Sequence, residues 1–190
     1  MKRTLLTGLA LVLTAGLAVA DAQTDQAGAR QASMALGGAL KQALMSAMKE
    51  GGPLAAIEVC NLSAMPITDQ VSEQGPWTVA RTSLKVRNPA NTPDAWEREQ
   101  LLWFQKQLDA GAEPGSLEIL HTENRDGQPV QRYMKAIMVE GPCLACHGRA
   151  LSAPVAQALE DRYPQDQARG YQAGELRGAF TLERPMPKAP

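Results

Sequence analysis

Apolar residues fall on helical spacing through the first third of the chain. Across residues 23–50, Leu36, Leu40, Leu44 and Met48 recur at steps of four, which predicts a helix. Gly51-Gly52 ends that run, and Pro53 stands where the first turn of a new helix accepts proline. Leu54, Ile57, Cys60, Ala64, Ile67 and Val71 then follow at steps of three and four. They describe one apolar face of a second helix, with Pro66 as a candidate kink, and Cys60 lies in the middle of that face. On this pattern Cys60 is expected to be buried.

Strand patterns begin later. Trp77 to Arg87 reads as a strand of mixed polarity, and Leu117–Glu123 and Val130–Val139 read as a hairpin turned at Asp126-Gly127. Between them, Thr92-Pro93 opens a helix that Gly111 closes. Ala153–Tyr163 is a short helix and Gly178–Glu183 a last strand. The order is helices first, then strands mixed with helices, without βαβ alternation. That predicts an α+β fold with an antiparallel sheet. Residues 21–26 and 185–190 are expected to fray.

The N-terminus follows a different logic. Lys2 and Arg3 precede an uncharged stretch from Leu5 to Ala20, and Ala18-Val19-Ala20 has the small-x-small form of a cleavage signal. Residues 1–20 are therefore expected to be a secretory signal peptide, cut after Ala20 or Ala22, leaving one domain over residues 23–186. Export to the periplasm or beyond the cell follows, with no membrane span in the mature chain. Losing Lys2 and Arg3 takes 19 basic and 20 acidic residues to 17 and 20, a formal charge of −3. Neither a basic patch nor aromatic–basic interleaving points to nucleic acid.

An exported chain with three cysteines has no even disulfide framework. Two of the three lie in Cys143-Leu144-Ala145-Cys146-His147, the spacing of covalent haem attachment. Each thiol can add to one vinyl group of the porphyrin, and the adjacent histidine supplies an axial nitrogen. Structural zinc would want a second pair of ligands at similar spacing, and His121 with Cys60 does not make one. A redox dithiol would want a βαβ context. One covalent haem c on Cys143 and Cys146, with His147 as proximal ligand, is the expectation. The far side of the iron is open to Cys60, to His121, to Met34, Met45, Met48, Met65, Met134 or Met138, or to nothing. Gap-filling in the core is the ordinary role of methionine, and a half-buried sheet position that of His121. Arg81, Lys85, Arg87 and Arg132 are candidate partners for the haem propionates, and Trp77, Trp96 and Trp103 candidate pocket walls.

The stretches AAIEVCN (55–61), RTSLKVRNPANTPDAWE (81–97), YMKAIMVEGPCLACHG (133–148) and YPQDQARGYQAGELRGAF (163–180) together resemble the Tll0287-like family of haem proteins, also called the DUF3365 domain. The resemblance spans roughly residues 30–186. It implies a PAS-like antiparallel sheet flanked by helices, with an N-terminal helical region, one haem c, and His/Cys axial ligation. Matched to this chain, His147 is then the proximal ligand and Cys60 the distal one. The role implied is electron transfer or redox sensing rather than enzymatic catalysis, with a redox partner protein of unknown identity. A gas or small-ligand sensor with a labile sixth ligand is the alternative.

Overall fold

The computed structural model describes residues 10–187, with side chains from residue 23 onward. Lys2 and Arg3 lie outside the described residues, and of the expected cleavage segment only backbone is described.

Helix α1 (Ala10–Ser72) is broken at Gly51–Gly52, the only residues in it with non-helical dihedrals. Gly52 takes φ 69°, a conformation open to glycine at little cost. The backbone keeps helical dihedrals through Pro66. Ala29 and Leu36 from the first arm share one core cluster with Ile67 and Val71 from the second. The chain therefore doubles back at the glycine pair, and α1 is a helical hairpin. Residues 23–26, expected to fray, are helical and anchored: Asp25 pairs with Arg184, and Gln26 donates to Glu118.

Four strands follow: β1 (Thr78–Thr82), β2 (Glu118–Arg125), β3 (Gln128–Met138) and β4 (Leu176–Pro185). They form one antiparallel sheet in the order β1-β4-β3-β2. Asp126 (φ 54°) and Gly127 (φ 78°) make the tight turn between β2 and β3 that their sequence predicts. Because side chains alternate across a strand, the sheet feeds two cores. Tyr133 and Leu182 face α1, while Met134 and Ala179 face α2 (Ala95–Asp109). Helix α2 starts just after Asp94, whose side chain closes a reciprocal capping box with Glu97. The α+β, PAS-like arrangement of sheet and flanking helices is the one expected.

β1 is much shorter than the eleven-residue strand read from Trp77 to Arg87. The side chain of Ser83 explains the early end. Its Oγ donates to the Arg177 carbonyl at 2.7 Å and accepts from the Lys85 amide at 3.2 Å, turning the chain out of the sheet.

A buried-edge cluster ties α1 to the sheet. Glu118 accepts from Arg30 Nε at 3.0 Å and from the Tyr133 hydroxyl at 2.6 Å. Arg30 first, and then Tyr133 and Lys135, hold its carboxyl down at about 2 against burial, well below the ordinary 4.5. A carboxylate with a depressed folded-state pKa stabilises above its unfolded pKa and loses that contribution as pH falls. Stability should thus decline between about pH 4.5 and pH 2 by roughly 1–2 kcal/mol from this group, after discounting for the exposure of Arg30. Urea midpoints across that interval test it. A Glu118→Gln variant should lose stability at pH 7 and show a flatter acid limb; parallel acid limbs in the two proteins would reject the assignment.

Candidate functional site

The motif around residue 143 folds as a 3-10 turn (Gly141–Cys143) running into a four-residue helix, α3 (Leu144–His147). Cys143 and Cys146 lie three apart on it and so project to one side. Both are half-buried free thiols. Cys146 packs against Ile57 of α1 and against Val155 and Leu159 of α4 (Ala153–Arg162), while Cys143 packs against Val139, Ala168 and Tyr171. Burial pushes the Cys146 thiol up, opposed by the charge of Arg87.

His147 ends α3 with its ring held in place. Its Nδ1 lies 2.7 Å from the Ala168 carbonyl, an acceptor only, so Nδ1 carries the proton and Nε2 is left as a lone-pair donor. Burial first, then Arg87 and Arg177, lower its pKa to about 3. The ring is therefore neutral at physiological pH, as a metal-ligating imidazole must be. Backbone pairing fixes the turn that carries it. The amide of Tyr171 donates to the His147 carbonyl at 2.9 Å and that of Gly170 to Gly148 at 3.1 Å. A Cβ at Gly148 would stand 2.5 Å from the Leu144 carbonyl oxygen, so glycine is needed there.

Arg87 locks this turn to the loop opposite. Its guanidinium donates to the Cys146 carbonyl at 2.6 Å and the Ala168 carbonyl at 3.3 Å, and pairs with Asp166 through Nε (3.1 Å) and Nη2 (3.2 Å). Asp166 is 1% exposed, and it also accepts from the Ala168 amide and Arg169. One arginine thus holds both the residue before His147 and the carbonyl to which His147 donates.

His147 opens on a cleft of about 160 Å³, lined also by Arg81, Ser83, Arg87, Ile137 and Arg177. A larger groove of about 390 Å³ runs between the arms of α1 beside Trp77, but its Asp25 and Arg184 neutralise each other. The chemistry, rather than the volume, selects the first cleft.

Cys60 departs from expectation. It is exposed, not buried, and it does not line the cleft. Ile57, one turn earlier on the same face, is buried against α4 and Cys146, while Cys60 itself stays open to solvent. Although open to solvent on one side, Cys60 is crowded enough that desolvation pushes its thiol up, against the charges of Arg81 and Arg87. Cys60 is also near enough to Cys146 for the two thiols to act on each other electrostatically. Four of the rivals lie elsewhere. His121 is exposed on β2, stacked on Trp96 at the opposite edge of the sheet from β1. Met134 is in the α2 core, and Met34 and Met45 are exposed on α1 rather than in core positions.

Sequence reasoning also named groups that the fold uses differently. Trp77 is core and is stacked by Arg184; Trp103 is 40% exposed; neither Trp lines the cleft, nor does Trp96. Arg132 is paired with Asp94 and lies over Trp96, away from His147. Arg177 and the Ala168 carbonyl were not singled out by sequence. Arg177 had a signal, a charge beside Gly178 at the start of an apolar strand; the carbonyl had none.

The Tll0287-like family model matches residues 12–185. The chain belongs to the Tll0287-like family. Its fold is also similar to that in the crystal structure of the cyanobacterial haem protein Tll0287, with a TM-score of 0.57 and 24% sequence identity. The likeness covers 90% of this chain and 98% of that one. No curated protein matches. Among the described residues of this Tll0287-like chain, no helix is long and apolar enough to cross a membrane.

Proposed function

We propose that this protein holds one covalent haem c and serves in electron transfer or redox sensing outside the cytoplasm, without catalysing a reaction of its own. The observation that carries this reading is His147: its Nδ1 is committed to the Ala168 carbonyl and its neutral Nε2 is free beside a cleft rich in arginine. The two free thiols next to it fit thioether attachment. A solved protein of similar fold is described as a haem protein, which supports the same group here.

A bound haem iron supplies a one-electron couple. Cys143 and Cys146 would tether it and His147 Nε2 would ligate it. Arg87 and Asp166 keep the histidine turn rigid, so little reorganisation accompanies a change of charge. Cys60, beside Cys146, would ligate the far side. A thiolate there favours the ferric state and lowers the potential relative to methionine. The exposure of Cys60 also favours a second reading, in which this ligand leaves and a small molecule such as CO or NO binds.

Three measurements on protein exported from a host that matures haem c test these points. Intact mass should equal the chain without residues 1–20 or 1–22 plus one haem; a full-length or haem-free mass would overturn export or attachment respectively. Ferric EPR should give the narrow low-spin g-spread of thiolate ligation, lost in Cys60→Ala. A wide spread that is unchanged in Cys60→Ala would remove Cys60 from the iron. Rapid CO uptake by the reduced wild-type protein would move the sensor reading ahead of the carrier.

A further inference from the structure

We infer that Arg81 and Arg177 are the anchors for the two propionates of the haem, an assignment that rests on the haem reading above. Three guanidiniums, Arg81, Arg87 and Arg177, line the cleft into which His147 opens, and no carboxylate lines it with them. Arg87 is already matched by Asp166, whose remaining capacity goes to Arg169 and the Ala168 amide. Among the described residues, neither Arg81 nor Arg177 has an acidic group within ion-pair distance. Arg177 spends Nη1 on Ser83 Oγ (2.9 Å) and the Lys85 carbonyl (3.2 Å) and packs over the Tyr171 ring, neutral partners that fix its stem without matching its charge. Arg81 has only the neutral thiol and phenol of Cys60 and Tyr163 as potential anions nearby.

Two unmatched cations held together in a partly buried cleft repel each other and carry a desolvation cost. Burial pulls both guanidiniums below their ordinary value, and Arg81 adds to the effect on Arg177. A fold that keeps such a pair is complementary to a ligand with two negative charges, and guanidinium forks match carboxylates in geometry. A haem on Cys143, Cys146 and His147 brings two carboxylates to this cleft. The other candidates are otherwise engaged. Arg132 is salt-bridged over Trp96, and the Lys85 ammonium is exposed, donating to the Arg169 carbonyl.

Resonance Raman spectra of the haem-loaded protein test the assignment through the propionate bending bands, which shift when a hydrogen-bond donor is removed. Arg81→Gln should shift one band and Arg177→Gln the other, with the axial-ligand bands in place. Exposed Arg98→Gln should shift neither. Arg→Lys at each site keeps the charge without the fork; it should give a smaller shift and serves where a Gln variant does not accumulate. Unchanged propionate bands in the Gln or Lys variants, with haem present, would overturn this inference alone. A wild-type protein that takes up no haem would overturn the underlying reading as well.

Discussion

Arg87→Met is expected to destabilise the protein by about 3–5 kcal/mol, because it strands the Asp166 carboxylate in the interior. Asp166 is 1% exposed and Arg87 13%, so little water reaches the pair. Arg169 still touches Asp166 in the variant, but from a more exposed position. The Cys146 and Ala168 carbonyls lose their shared donor at the same time. Chemical denaturation of wild-type and variant measures the loss. A double variant, Arg87→Met with Asp166→Asn, removes the stranded charge and should be less destabilised than the sum of the singles, with a coupling of at least 0.5 kcal/mol. Losses below 1 kcal/mol in both singles would mean that the pair is not a structural clamp. The clamp also predicts a local effect: the His147 ring in Arg87→Met should lose its fixed orientation even under conditions where the fold survives.

Gly178→Ala should cost about 2–3 kcal/mol for a different reason, overpacking between strands. A Cβ at Gly178 would lie 2.3 Å from the Thr82 carbonyl oxygen and 3.1 Å from Ser83 Cβ. These are backbone and short side-chain atoms that cannot rotate away. β1 must move off β4 to admit the methyl group, and Thr82, Ser83 and Gly178 all line the His147 cleft. Stability and cleft geometry therefore fail together. Gly115→Ala, where the added methyl meets nothing within 4 Å, is the control and should stay within about 0.5 kcal/mol of wild type. Equal thermal midpoints for the two variants would contradict the close approach.

Local chemistry explains what could be read in advance. Gly51-Gly52 and Asp126-Gly127 act through their own backbone conformation, and each appears in the fold where its residue types place it. The Cys143–His147 motif is equally local, since two thiols and an imidazole on adjacent turns need no distant partner to be noticed. What escaped depends on contacts far apart in the chain. The strand from Trp77 ends early because Ser83 finds a carbonyl 94 residues away. Helical spacing placed Cys60 on an apolar face, but how far α4 extends over that face is not encoded in the spacing. The Ala168 carbonyl illustrates the limit most clearly. Any residue type presents the same oxygen, so nothing in an alanine announces that it will orient a histidine.

The strand order has a consequence for how the protein avoids aggregation. A four-stranded sheet that does not close leaves two rows of unpaired peptide groups, and such rows invite neighbouring chains to add on. Here one margin, β1, is only five residues long. The other, β2, carries Glu118, His121, Glu123 and Arg125, and Arg30 and Gln26 of α1 reach over to Glu118. A brief margin on one side and a charged, tethered one on the other make poor templates for fibril growth.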